Sequence, residues 1–111
     1  MMSLDEEIDV HAVQALRTGG VPFLLLDCRE PDEHGIARIE GALLIPMRTI
    51  PERLAELEPR RGDRIVVHCH HGVRSLRVAR FLRERGFVNA QSMRGGIEAW
   101  ALELDPATPR Y

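Results

Sequence analysis

The chain reads as an α/β domain built on a mainly parallel sheet, and three observations say so. Short apolar runs at residues 23–26, 42–45 and 65–67 alternate with stretches of helical spacing. The run at 23–26 lacks the in–out alternation of a half-exposed sheet, as expected of a strand covered on both faces. At 111 residues, 44% hydrophobic and 29% charged, the composition is that of one ordinary globular domain spanning residues 1–111.

Asp9 is placed to cap a first helix with Val10, Val13 and Leu16 on one face, ended by Gly19 and Gly20. Residues 23–26 form the first strand, and Asp27-Cys28-Arg29-Glu30-Pro31 is a polar loop at its C-terminal end. Residues 42–45 make a second strand, stopped by Pro46. Thr49 and Glu52, with Pro51 between them, have capping-box spacing and predict a helix carrying Ile50, Leu54 and Leu57. Residues 58–63 are a polar connection. Residues 65–67 are the central strand, 69–74 a loop, and 75–85 the best helix, with Val78, Ala79 and Leu82 on one face, Phe81 beside them, and Gly86 as its stop. Residues 90–93 form a last strand, and Gly95-Gly96 leads into a brief helix ending near Trp100 and Leu102. The tail from Asp105 holds two prolines and is expected to run over the surface. No internal repeat and no second domain are expected.

A net charge of −2 argues against nucleic acid or an anionic membrane as partner. No apolar run reaches membrane-spanning length, and the N-terminal region is acidic (Asp5, Glu6, Glu7) without an apolar signal core. The expected location is the cytoplasm, where two cysteines signify reactivity or packing and not a disulfide framework.

The chemistry concentrates in His68-Cys69-His70-His71-Gly72-Val73-Arg74-Ser75, which joins the central strand to the best helix. The loop's backbone N–H groups have no partners of their own and face the space above Cys69. The helix N-terminus and Arg74 add positive charge. A free thiol of pKa ~8.5 is only about 3% thiolate at pH 7, and such surroundings make the thiolate the major form. The blander reading of Cys69 is a small buried hydrophobe. A metal site is not expected, because neighbouring side chains of an extended segment point to opposite faces and no second ligand pair occurs. In an open α/β sheet the strands' carboxyl ends gather the chemistry. By that rule residues 27–29, 46–48, 69–74 and 94–96 share one rim, bringing Arg29, Arg48 and Arg94 near the thiol.

Four segments resemble the rhodanese family of sulfurtransferases, in the family's order and near its spacings. Asp27-Cys28-Arg29-Glu30-Pro31 with Glu33 is similar to D-V-R-x-x-x-E, and Ile39-Glu40-Gly41-Ala42 with Ile45-Pro46 to I-x-G-A-x-x-I-P. Cys69–Ser75 is similar to the active-site loop, and Gly95-Gly96-Ile97-Glu98-Ala99-Trp100 to G-G-x-x-A-W. Cys28 stands where the family often has Val, and Arg38 where it often has His. The resemblance implies a rhodanese-like fold: a central five-stranded parallel sheet with helices on both faces, and a cysteine that carries sulfane sulfur as a persulfide.

The expected site is therefore Cys69 as nucleophile, with His70, His71, Gly72, Val73 and Arg74 binding substrate, and no cofactor or metal. The partners are a small-molecule sulfur donor such as thiosulfate and an acceptor that is a thiol, a protein thiol included, or cyanide. His68 is expected to pack in the interior, Asp27 and Arg29 to brace the rim as a hydrogen-bonded pair, and Trp100 to anchor the core. Three rivals stand beside this reading. A phosphatase or arsenate reductase also holds an oxyanion over a cysteine loop, but usually with five residues between Cys and Arg; here there are four. A regulatory module without catalysis would generally lack the cysteine. A redox switch would join Cys28 and Cys69 across the strand ends.

Overall fold

The computed structural model describes residues 4–111; the first three residues of the expected domain lie outside that range. The elements are β1 (Glu7–Ile8), α1 (Val10–Thr18), β2 (Leu24–Asp27), α2 (Pro31–Ile36), β3 (Leu43–Leu44), β4 (Ile65–His68), α3 (Val73–Glu84), β5 (Ala90–Met93) and α4 (Gly96–Glu103). Three 3-10 segments, Met47–Thr49, Pro51–Glu56 and Glu58–Arg60, link β3 to β4. The five strands are all parallel, in the order β1-β5-β4-β2-β3.

Side chains of β2 and β4 alternate between two cores. Leu26, Cys28, Ile65, Val67 and Cys69 face α3 and the 3-10 segments, meeting Ile50, Leu57, Val78, Ala79 and Leu82. Leu25 and Val66 face α1 and α4, meeting Val10, Val13, Ile97 and Trp100. Burying each such aliphatic side chain stabilises the fold by about 1.5–3 kcal/mol. Both cysteines thus point to the α3 side of the sheet, and their position follows from strand parity alone.

Three features differ from the expectations. Residues 31–36 form α2, an element absent from the expected set, because the Glu30 side chain takes a bond from the N3 backbone while Glu33 bonds back to the Glu30 N–H, with Pro31 opening the helix. The Thr49–Glu52 box does not form; the Thr49 hydroxyl donates to the Pro46 carbonyl at 2.8 Å. Pro51 and Pro59, and the non-helical φ of −110° at Arg53, keep residues 47–60 in short 3-10 turns. The tail does not merely cross the surface: its Tyr111 docks at the rim of the sheet.

Candidate active site

Cys69 follows the last residue of β4 and is buried at 1% exposure. Its Sγ accepts the N–H of Gly72 at 3.1 Å and that of Ser75 at 3.3 Å. The Ser75 hydroxyl lies 3.4 Å from Sγ and donates to it once it is a thiolate. That hydroxyl is 2.7 Å from the Ser92 Oγ on β5, which fixes it from behind.

The loop closes this tightly because of its glycines. Gly72 caps α3 with φ +101°, a left-handed conformation. Gly96 has φ +61°, and a Cβ there would collide with the carbonyls of Cys69 and His70. Those carbonyls instead accept the N–H groups of Ile97 (2.9 Å) and Glu98 (3.1 Å) in the first turn of α4. With its carbonyls turned outward to α4, the loop aims N–H groups inward at the sulfur.

Cys28 is the second thiol of the site. Asp27 and His68 are register partners, and the Cys28 N–H donates to the His68 carbonyl at 3.1 Å, so the ladder runs on to set Cys28 beside Cys69. Both thiols are free. The Cys28 thiol, the Ser75 hydroxyl and the two N–H groups outweigh the burial of Cys69 and bring its pKa down to about 4. Cys28 moves the other way: bonding to Cys69, burial and the Cys69 charge keep it protonated.

Arg74 corrects an expectation. Its guanidinium forms two bonds to Glu33, 2.7 and 2.9 Å, and Glu33 also accepts the Tyr111 hydroxyl at 2.9 Å. Arg74 borders the pocket, but its charge is shared with a carboxylate, and the Arg74 contact holds the Glu33 pKa at about 2. The pocket, about 220 Å³, is lined by Cys28, Glu30, Met47, Arg48 and Arg74. Of the other rim arginines, Arg48 borders it, Arg94 lies 3.9 Å from Asp9, and Arg29 is wholly buried.

Arg29 and Asp27 do brace the rim. The guanidinium bonds both carboxylate oxygens at 2.9 and 2.8 Å, and also the Ala37 carbonyl and the Tyr111 hydroxyl. His34 adds a contact to Asp27 at 2.8 Å. Burial alone would raise the Asp27 pKa, yet Arg29, His68 and His34 together hold it at about 2. His68 is fully buried as expected, and burial lowers its pKa so that it stays neutral.

The remaining expected residues separate. His70 stacks between His71 and Tyr111, with ring centroids 3.9 Å apart in each case. The loop's curl therefore puts neighbouring histidines side by side, against the alternation expected of an extended segment. With Glu98 their ligand atoms lie within 4.8 Å of one another, although Glu98 is already paired with Arg110 at 2.6 Å. Val73 is 64% exposed and contributes no side chain to the pocket. Ser75, Cys28, Glu33 and Tyr111 are neighbours to which the sequence assigns no part in binding substrate. Ser75 stands in the segment similar to the active-site loop, Cys28 on the rim segment 27–29, and Glu33 in the D-x-R-x-x-x-E pattern, while Tyr111 carries no signal.

Comparison with known proteins agrees with this geometry. The family profile "Rhodanese-like domain" matches residues 9–103. A maize protein, "Adenylyltransferase and sulfurtransferase MOCS3-2", is 39% identical over 94% of this chain, which spans 23% of that relative's length. A "Sulfurtransferase" of Allochromatium vinosum is 36% identical over 86% of this chain and 87% of its own. The crystal structure of a rhodanese-like domain protein from Staphylococcus aureus superposes with a TM-score of 0.81 at 27% identity, covering 96% of this chain and 99% of that one. The chain belongs to the rhodanese-like domain family.

Proposed function

We propose that this chain is a sulfurtransferase in which Cys69 carries sulfane sulfur as a persulfide. The Cys69 thiolate attacks the outer sulfur of a donor such as thiosulfate; the S–S bond of the donor breaks and sulfite leaves with the electron pair. A thiol, a protein thiol included, or cyanide then takes the outer sulfur and returns Cys69 to thiolate. This is nucleophilic catalysis by double displacement. The loop from His70 to Arg74 supplies N–H groups to the transferred sulfur, as an oxyanion hole does to oxygen. The reducing cytoplasm is the compartment in which both thiols stay free.

The observation that carries the reading is the buried Cys69 Sγ held by the N–H groups of Gly72 and Ser75. A phosphatase reading fits less well. A tetrahedral dianion calls for a wider loop and an unpaired guanidinium, whereas Arg74 is paired with Glu33. Intact mass spectrometry after thiosulfate treatment should show the gain of one sulfur, mapped to Cys69 and lost on adding cyanide. Aryl-phosphate turnover abolished by Cys69→Ser, with no sulfur gain, would reverse the assignment.

A further inference from the structure

Cys28 is an unusual neighbour for a persulfide. It is 1% exposed, packs in the same core cluster as Cys69, and borders the pocket beside Arg48 and Arg74. Neighbouring parallel strands lie about 4.8 Å apart, within the Cα separation that a disulfide bridges. The two side chains share one face of the sheet, and the Cys28 N–H bond to the His68 carbonyl keeps the two strand ends in register.

We propose that Cys28 is a resolving thiol: it attacks the Sγ of persulfidated Cys69, releases the outer sulfur as hydrogen sulfide, and leaves a Cys28–Cys69 disulfide. The step rests on the sulfur-transfer reading above. The new S–S bond joins Cys28 to Cys69 as the persulfide S–S bond breaks. The outer sulfur leaves with the electron pair and takes up the Cys28 proton, so one sulfane sulfur is reduced to sulfide while two thiols are oxidised. A dithiol reductant then restores both cysteines by thiol–disulfide exchange.

Two features favour attack at the inner sulfur. Cys28 packs in the same buried cluster as the Cys69 side chain, whereas the outer sulfur of the persulfide extends beyond Sγ. The negative charge of the resting Cys69 thiolate also helps keep Cys28 protonated; in the persulfide that charge moves to the outer sulfur and the restraint weakens. Sulfide leaves through the pocket bordered by Arg48 and Arg74.

The test is a single turnover without oxygen and without an acceptor. The protein is charged with thiosulfate or inorganic polysulfide, desalted, and followed by sulfide assay, thiol titration and intact mass. Wild type should release about one sulfide per chain, lose both thiols and yield a peptide pair linked through Cys28 and Cys69. Cys28→Ser and Cys28→Val should hold the added sulfur at least roughly tenfold longer, because the intramolecular nucleophile is gone. Two variants guard against misfolding in either, checked by circular dichroism. If wild type keeps its added sulfur as long as both variants and forms no disulfide, Cys28 does not resolve and the transferase reading stands alone. If no protein gains sulfur from either donor, the transferase reading fails and takes this inference with it.

Discussion

Arg74, at the border of the pocket, and Glu33 form a two-bonded ion pair, so the cation expected to serve the thiolate alone is shared. Glu33 is in turn fixed by the Tyr111 hydroxyl, which Arg29 also reaches at 2.7 Å. Removing Arg74 takes a partner from this small network, and on the proposed function it should weaken handling of an anionic donor. Arg74→Ala should lower kcat/KM for thiosulfate roughly tenfold, ~1.4 kcal/mol. Arg74→Lys should recover only part, because an ammonium cannot reproduce the two parallel bonds to Glu33. Equal kinetics in all three proteins would show that Arg74 does not serve the donor.

Alkylation of Cys69 by iodoacetamide should titrate far below the free-thiol value of ~8.5, in keeping with a pKa brought down to about 4. Because the Cys28 thiol is the largest of the groups lowering it, Cys28→Val should move the midpoint upward by about one unit or more, ~1.4 kcal/mol. An unchanged midpoint in a folded variant would mean that the loop N–H groups suffice.

Gly96→Ala should harm both stability and the thiolate. The left-handed conformation and the collision with the Cys69 and His70 carbonyls predict a cost of about 1–3 kcal/mol. Gly35→Ala, where an added Cβ meets nothing within 4 Å, is the control and should change thermal stability little. Wild-type alkylation rates in Gly96→Ala would show that α4 does not shape the loop.

Stability should fall in acid for a definite reason. Asp27 and Glu33 both have pKa values lowered to about 2, from 3.8 and 4.5. Their contributions are complete above the unfolded values and are lost as pH falls through about 2, when the unfolded chain binds the extra protons; for Asp27 the contribution is about 2 kcal/mol. Melting temperature should therefore hold down to about pH 4.5 and drop steeply below it. Asp27→Asn should flatten that drop and cost about 3–5 kcal/mol at neutral pH, since Arg29 is left buried without its partner. An acid slope identical to wild type would locate the lost protons elsewhere.

Much of this is legible in the residues, and the exceptions have causes. The strand at 90–93 and the helix after Asp9 emerge as read, since the caps and apolar spacings are local. Helix α2 was hidden because Pro-Asp-Glu-His-Gly shows no apolar periodicity; its capping box was the only signal. Residues 47–60 misled because Thr49 found a partner in the Pro46 carbonyl. In the site, Cys69 was visible from its loop. Ser75 reads as an ordinary helix start and Cys28 as part of a polar loop at a strand end. Their roles depend on strand register and on β5, which no short stretch of sequence encodes. Tyr111 reaches Glu33 across 78 positions of chain, a separation beyond local patterns.

The bonds from Ile97 and Glu98 to the carbonyls of Cys69 and His70 tie the thiol to parts of the fold that do not touch it. Helix α4 holds the two carbonyls away from the sulfur, and β5 supplies the Ser92 brace behind Ser75. A change that lifts α4 from the loop or unpairs β5 therefore disarms Cys69 without altering a residue in contact with its sulfur.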